Sequence, residues 1–212
     1  MIKSNDQSGK EAQILAAARK VFQRRGTSGA RMADIAEQAG VNQALLHYYF
    51  RSKARLADAV FLSAARELFP PVLETLLSDA PLPDKVQRVV ELELDTLQRH
   101  PYLPGYVISE LNQHPERVAQ FARAMTGQEI SSFGPRVLRR IGEQIDEAVA
   151  AGDMRSITAD QFVINLISLC IFPFAARPMI AALTQVDDEG WTAMIERRKQ
   201  ELPAFFLGGL KP

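Results

Sequence analysis

Residues 32–50, MADIAEQAGVNQALLHYYF, are the stretch of this sequence that decides its fold. Apolar residues at three- and four-residue spacing predict a short helix here. Its inner face is Met32, Ile35, Ala36 and Ala39. Gly40 follows, where a residue without Cβ suits the positive φ of a tight turn. Asn42 is a favourable N-cap, so a second short helix is predicted to begin there and to end near Phe50.

The second short helix has two different sides. Its inner side is formed by Val41, Leu46, Tyr49 and Phe50. Its outer side carries Gln43, Ala44, His47 and Tyr48. Because Asn42 caps this helix, its N-terminal end is expected to face outward, as entry into the major groove of DNA requires. The alternative is an ordinary three-helix packing unit whose surface residues are only solvated.

The charge distribution separates the N-terminal part of the chain from the rest. The 212 residues hold 25 basic and 25 acidic side chains, for a formal net charge of +0. Residues 1–55 contain ten Lys or Arg against four Asp or Glu, whereas residues 56–212 contain fifteen against twenty-one. The basic excess around the predicted helix pair indicates a phosphate-binding surface at the N-terminus.

Helical spacing of apolar residues continues along almost the whole chain, and no alternating strand pattern of useful length appears. The predicted fold class is therefore all-α, with helices over 10–25, 32–39, 42–50, 53–69, 84–100, 102–113, 116–125, 135–151, 159–183 and 189–207. In this prediction Pro70 and Pro71 stop the fourth helix, and Pro173 and Pro178 bend the helix over 159–183. The acidic residues Glu91 and Glu93 are expected on a solvated helix face.

The run DIAEQAGVNQALLHYYFRSKARL, residues 34–56, resembles the DNA-binding segment of the tetracycline-repressor (TetR) family of transcription regulators. The matching pieces, ungapped from Lys10 to about Phe61, are Asp34-Ile35-Ala36, Ala39-Gly40-Val41, Leu46, Tyr49-Phe50, Ser52-Lys53 and Leu56. The resemblance implies an N-terminal three-helix helix-turn-helix domain, residues 1–57, and a larger helical domain for effector binding and dimerisation, residues 58–212. The implied function is a homodimeric repressor that binds a palindromic operator and releases it when a small apolar or amphipathic effector binds.

The resemblance also implies which residues contact DNA. Gln43 and Ala44 lie where the family reads base edges; Gln can pair with adenine, and Ala can touch a thymine methyl group. Lys53 matches a phosphate-contacting lysine at the start of the fourth helix. Arg31 stands near the start of the second helix, where the family usually has Ser or Thr. The full predicted set is Thr27, Arg31, Asn42, Gln43, Ala44, Leu45, His47, Tyr48 and Lys53.

The second domain offers candidates for an effector pocket and for a dimer interface. The predicted ligand contacts are Leu103, Tyr106, Val107, Phe121, Met125, Phe133, Phe162, Asn165, Leu166 and Leu169. Plain core is the stronger interpretation of each apolar one, since such residues at helical spacing more often pack than bind. The resemblance implies that the last two long helices pair with a second copy. Large apolar contacts there, equally well explained as intramolecular core, are Trp191, Ile195, Leu202, Phe205 and Phe206.

The sequence predicts no enzyme activity, no metal and no cofactor. His47, His100, His114 and Cys170 show no metal-ligand spacing, and no phosphate-binding glycine loop occurs. Cys170 is expected to be a small buried hydrophobe, with a redox sensor as the alternative. A single cysteine and no long apolar run favour a cytoplasmic protein without a membrane partner. Two further functions stay open: a DNA-binding regulator without a small-molecule effector, and a helical interaction protein with a vestigial DNA-binding head.

Overall fold

The computed structural model describes residues 3–212, apart from the side chains of residues 3–8, Glu110 and Met125. The described part of the chain is all-α, with no strand, which confirms the predicted fold class. Its eleven helices are α1 (Lys3–Gly29), α2 (Met32–Ala39), α3 (Gln43–Phe50), α4 (Lys53–Leu77), α5 (Leu82–Arg99), α6 (Leu103–Gln113), α7 (Arg117–Thr126), α8 (Ile130–Ala150), α9 (Ala159–Ala175), α10 (Arg177–Thr184) and α11 (Asp188–Gly208).

The α2–α3 turn forms as the sequence pattern predicts. Gly40 adopts φ 62°, and its N–H donates to the Glu37 carbonyl at 3.0 Å. The side chain of Gln13 in α1 donates to the Ala39 carbonyl at 2.7 Å, so α1 satisfies the end of α2. A shared core then fixes α2 and α3 against α1 and α4, and its buried members include Ile14, Phe22, Ile35, Leu46, Phe50 and Leu56.

Local hydrogen bonds define where α2, α3 and α4 begin. The Asn42 side chain accepts from the Leu45 N–H at 2.7 Å and caps α3. The Ser52 hydroxyl accepts from the Arg55 N–H at 3.2 Å and caps α4. At α2, which lacks a Ser or Thr cap, the Asp34 carboxylate accepts the backbone N–H of Arg31 at 3.3 Å. Each of these bonds satisfies a backbone donor that a helix start would otherwise leave unpaired.

The fourth helix is longer than the sequence predicts. It continues through Pro70 and Pro71 to Leu77, so the expected stop near Phe69 is wrong. An interior proline costs roughly 3 kcal/mol because it removes one helical donor and crowds the preceding turn. Burial on both sides of the prolines outweighs this cost, since α4 packs Leu68, Val72 and Leu76 into the core. Tertiary packing therefore decides the length of α4.

Prolines also lie inside α8, α9 and α11. Pro173 cannot donate to the Leu169 carbonyl, and Arg198 of α11 does so instead, with Nη2 2.8 Å from that oxygen. The bend predicted for the helix over 159–183 is present, but its continuity is wrong. The chain breaks at Ala176 (φ −105°, ψ 20°) and turns by 73° into a separate helix, α10. Pro178 in the first turn of α10 disfavours a continuous helix there.

In the described part of the chain, the bent α9–α10 pair is the one stretch of helix that could be compared with a membrane span. Together the two helices have the length and the apolar composition of a membrane span, although they are bent by 73°. Among the described residues, no single helix is long and apolar enough to cross a membrane.

The helix at the centre of the larger core is α5, which packs against α4, α8, α9 and α11. Its fully buried side chains include Val86, Val89, Val90 and Leu94. Lys85 is buried as well, and its Nζ donates to the Leu76 carbonyl at 2.8 Å and to Gln144 Oε1 at 2.7 Å. Burial lowers the pKa of this ammonium group. Burial in the core therefore shifts the pKa of an ionisable side chain on α5.

The cap of α3 yields a stability prediction. Replacing Asn42 with Ala removes the acceptor for the Leu45 N–H and should lower the free energy of unfolding by about 1 kcal/mol. Urea denaturation followed by circular dichroism measures the change, and Asn42→Ser should restore most of it. Gln43→Ala is the matched control, because Gln43 is exposed and should change stability by less than about 0.5 kcal/mol. Equal stability of Asn42→Ala and wild type would contradict the assigned cap.

Candidate functional site

The outer face of α3 is open to solvent. Gln43, Ala44, His47 and Tyr48 are exposed, and Tyr48 retains 69% of its accessible surface. Leu46 and Phe50 on the opposite face are buried, and Tyr49 is partly buried against them. The outer face of α3 therefore leaves Gln43, Ala44, His47 and Tyr48 together available for contact with another molecule.

Neighbouring groups orient the exposed side chains of α3. His47 Nδ1 lies 3.2 Å from the carbonyl oxygen of Arg51. The rings of Tyr48 and Tyr49 meet edge to face with centroids 5.4 Å apart. Leu45 is half-buried, and Thr27 is half-buried in the last turn of α1. The predicted DNA-contacting residues of α3 thus share one outer surface, and no described residue covers Gln43 or Ala44.

Cationic side chains flank this surface. Arg31, Arg51 and Arg55 are exposed and form no ion pair with any described residue. By contrast, Arg24 donates to Gln38 at 2.7 Å, and Arg25 pairs with Asp34. Arg51 and Arg55 are absent from the sequence-predicted set, although the basic excess of residues 1–55 could have indicated them.

Lys53 occupies a more enclosed position than the flanking arginines. Its Nζ donates to the carbonyl oxygens of Ser28 and Ala30, at 3.1 and 3.2 Å. These bonds tie the first turn of α4 to the α1–α2 connection. An ammonium group has three donors, so one of them is left for a ligand. The position at a helix N-terminus favours an anionic ligand.

A polar cluster connects α1 to the larger domain. Arg19 of α1 contacts the Ser63 hydroxyl and lies 3.6 Å from Glu67 on α4. The same Glu67 carboxylate receives Arg99 Nη1 at 2.8 Å and lies 3.3 Å from His100 Nε2. Burial lowers the pKa of His100, and the bond to Glu67 opposes that shift. This cluster fixes the start of the chain to α4 and to the end of α5.

A cavity of about 340 Å³ lies between α4, α5, α8 and α9. Its walls are almost entirely apolar, with side chains that include Leu68, Val72, Leu76, Phe133, Val137, Val163, Ile167 and Ile171. Three further lining residues, Phe69, Ile130 and Leu138, are exposed and face the outside. The volume falls at the lower end of the usual range for small-molecule sites.

Glu93 is the ionisable residue in the lining of this cavity. It is only 4% exposed, and its Oε2 has no hydrogen-bond partner among the described residues. Burial raises the pKa of this carboxyl to about 8, and a hydrogen bond with the Cys170 thiol opposes the shift. Burial and the adjacent Glu93 raise the pKa of the thiol. No group of three or more potential metal ligands converges in the described part of the chain.

The expected solvated position of Glu93 is wrong. Val86, Val89, Val90 and Leu97 share its helix face, at three-, four- and seven-residue spacing, and all four are buried. That spacing was visible in the sequence and could have placed Glu93 inside the core. An acidic residue on an apolar face is uncommon unless it is paired or functional, so this carboxyl is the strongest single signal in the larger domain.

The predicted ligand contacts are dispersed in the structure. Among the members whose side chains the structure describes, only Phe133 lines the cavity beside Glu93. Five members belong to the buried core, namely Leu103, Tyr106, Phe121, Phe162 and Leu166, and Val107 packs against them. Asn165 and Leu169 line shallow grooves beside α11, and the side chain of Met125 lies outside the described residues. Contact of these residues with an effector stays a prediction.

The burial of Glu93 predicts a pH-dependent stability. An acid whose pKa is raised in the folded state is protonated there while the unfolded chain has already ionised. Between pH 4.5 and about 8 the free energy of unfolding should therefore fall as pH rises, by at most about 1.4 kcal/mol per pH unit. Glu93→Gln should flatten this slope in urea titrations from pH 5 to pH 7.5. Glu91→Gln on the same helix should keep the wild-type slope, and an unchanged slope in Glu93→Gln would contradict the prediction.

This sequence is similar to those of known bacterial regulatory proteins. Residues 14–60, from within α1 into α4, match the model of the tetR family of bacterial regulatory proteins. The HTH-type transcriptional repressor NicS of Pseudomonas putida is 28% identical over 186 residues, which cover 82% of this chain and 80% of that protein. The nucleoid occlusion factor SlmA of Pasteurella multocida is 26% identical over 145 residues, covering 66% of this chain and 73% of that protein.

The whole fold also has solved counterparts. The ketosteroid transcriptional regulator KstR2 of Mycobacterium tuberculosis superposes with a TM-score of 0.67 at 16% identity, covering 95% of each chain. At this identity the likeness concerns the fold alone. The sequence match covers the α2–α3 pair and its flanking helices, and the superposition extends over the larger helical domain. Through the match of residues 14–60, these comparisons indicate a transcriptional regulator of the TetR family.

Proposed function

We propose that this protein is an effector-responsive repressor that binds a palindromic operator as a homodimer. The observation that carries the proposal is the uncovered outer face of α3, which three unpaired arginines flank. The repressor NicS, similar over most of the chain, supports the direction of regulation. In this proposal residues 1–57 form the DNA-binding domain, and residues 58–212 bind the effector and the second copy.

The proposed DNA contacts divide into two classes. Gln43 and Ala44 on the first turn of α3 read base edges in the major groove. Tyr48, His47 and Leu45 extend this contact along the groove and its backbone. Cationic groups contact phosphates and orient the head without reading sequence, and they are Arg31, Arg51, Lys53 and Arg55. Asn42 contributes mainly by fixing the start of α3.

Apolar surface on the last helices supports dimerisation. Four of the five expected interface residues are buried in the core of their own chain, namely Trp191, Ile195, Leu202 and Phe206. Phe205 is different, because it remains 71% exposed beside a groove of about 530 Å³ between α9, α10 and α11. Phe172, Met179 and Leu183 are exposed on α9 and α10. A second copy would bury these side chains, and two heads are needed to read two half-sites roughly 34–36 Å apart.

Two helices could connect effector binding to DNA release. α4 carries Lys53 at its start and the cavity-lining residues from Leu68 to Leu76 near its end. Lys53 and Leu68 are about 22 Å apart along the helix, at 1.5 Å per residue. α5 carries Glu93 in the cavity and His100, which contacts Glu67, at its end. An effector changes the DNA affinity only if it binds the non-DNA conformation more tightly than the DNA-bound one.

A second candidate function is DNA binding without a small-molecule effector. The likeness to the nucleoid occlusion factor SlmA over two thirds of the chain favours it. The apolar cavity with an unpaired carboxyl favours the effector-responsive proposal, because a purely structural core would gain stability by filling that space.

The proposed DNA contacts can be separated by mutation. Duplexes selected from a random pool provide the operator, and fluorescence anisotropy at several salt concentrations measures affinity. Arg31→Ala should weaken binding to selected and unrelated duplexes alike and reduce the salt slope by about 1, because it removes one phosphate contact. Gln43→Ala should instead relax the preference at one base pair by about 1–3 kcal/mol. Arg139→Ala, an exposed arginine on α8, is the control; the same loss in this variant would contradict the assignment.

The proposed dimer interface has its own test. Phe205→Asp places a charge on the exposed apolar surface of α11 and should convert dimers to monomers in analytical ultracentrifugation at micromolar concentration. Operator affinity should fall with it, because each head then binds one half-site alone. Ile108→Asp is the matched control, since Ile108 is an exposed apolar residue on α6. Dimers that persist in Phe205→Asp, or dissociate equally in Ile108→Asp, would place the interface elsewhere.

A further inference from the structure

We propose that the cavity beside Glu93 binds an effector with an apolar body and one protonated amine, which the carboxylate of Glu93 holds. This inference rests on the proposed function and names the ligand class for the same protein. It depends on three observations: the apolar lining of the cavity, the buried position of Glu93 and the unpaired Oε2.

The apolar lining determines the body of the ligand. Side chains from α4, α8 and α9 face the cavity with almost no polar group, and Thr126 supplies the one hydroxyl of the lining. Such a surface gains free energy in proportion to the apolar area that a ligand removes from water. The exposed side chains of Phe69, Ile130 and Leu138 mark the side from which a ligand enters.

The surroundings of Glu93 determine the charge of the ligand. α4 and α8 contribute no ionisable side chain to the lining, and α9 contributes only the Cys170 thiol at the carboxyl. From α11, Arg198 donates to the Leu169 carbonyl, and Lys199 pairs with Asp95. The Arg198 charge also acts on the Cys170 thiol, but no described cation forms an ion pair with Glu93. A buried carboxylate needs an opposite charge and hydrogen-bond donors, and an alkylammonium group supplies both.

The same carboxyl disfavours other ligands of similar shape. A fatty acid or another anionic amphiphile would place a second negative charge in the cavity, where no described cation compensates it. A neutral alcohol fits the apolar walls but offers no charge to the carboxylate. Selectivity for an amine thus follows from what is missing around Glu93 as much as from the carboxyl itself.

Binding of an amine to this site releases a proton. At neutral pH the carboxyl in the empty cavity is mostly protonated, since burial raises its pKa to about 8. The ligand arrives as R–NH₃⁺ and pairs with the carboxylate, and the carboxylic proton leaves to the solvent. Before binding, the neutral carboxyl and the ammonium ion together carry a charge of +1. Afterwards the ion pair carries no net charge, and the released proton carries the +1 into the solvent. Amine affinity should therefore increase with pH below the pKa of Glu93.

Calorimetric titration of the full chain with three probes of equal chain length tests the ligand class. Decylamine should bind more tightly than decanol, and decanoate should bind weakest. In Glu93→Gln the affinity for decylamine should fall by roughly 30-fold, while the affinity for decanol changes less than threefold. Glu91→Gln should leave both affinities unchanged. Equal binding of decylamine and decanol by wild type, or an unaltered decylamine affinity in Glu93→Gln, would overturn the proposal.

A measurement on the wild-type protein covers the case in which the variant does not fold. Decylamine affinity should rise by up to about tenfold per pH unit between pH 6 and pH 7.5, with proton release seen as a dependence of the heat on the buffer, whereas decanol affinity should stay level. A flat or falling profile for decylamine would exclude the carboxylate–ammonium pair. Release of the selected operator duplex by the same probes is measured separately. Decylamine that binds as expected without releasing DNA would refute the effector-responsive function and leave the ligand site standing.

Discussion

The organisation of this protein depends on the continuity of α4. One helix begins at Lys53, beside the proposed DNA-binding surface, and passes through two consecutive prolines. Its last turns, up to Leu76, form a wall of the cavity. The prolines are retained because burial of the flanking apolar face outweighs two missing hydrogen bonds. A break at Pro70 would leave the head and the cavity on separate bodies.

A second connection runs through charged groups. Glu67 on α4 contacts Arg19 of α1, Arg99 and His100, so the head, the shared helix and the end of α5 meet at one carboxylate. Glu93 lies seven residues before His100 on α5, about 10 Å away at 1.5 Å per residue. The buried carboxyl and the interdomain cluster therefore lie on the same helix. α5 thus connects the cavity carboxyl directly to the cluster of charged groups that contacts α1.

Prediction from sequence succeeded where structure is local. The α2–α3 pair follows from the spacing of Ile35, Ala36 and Ala39, from the freedom of Gly40 and from the cap at Asn42, all within a few residues. It failed where distant contacts compete with local rules. Pro70 stops a helix in isolation but not in this core, and the Leu169 carbonyl freed by Pro173 finds Arg198 from another helix. Glu93 was predicted to be solvated because it is charged, although its spacing places it on the apolar face of α5.

The sequence by itself determined the all-α class of the molecule and its helix-turn-helix segment, and it predicted which residues would contact DNA. Periodicity, turn chemistry and capping act over three to ten residues, and the basic excess around them needs no tertiary contact to be seen. Only the tertiary structure decided the length of α4 and the location of the cavity. These features arise from packing between segments far apart in the chain, where burial of apolar surface overrides local preference. The same packing leaves Oε2 of the buried Glu93 carboxyl without a hydrogen-bond partner among the described residues.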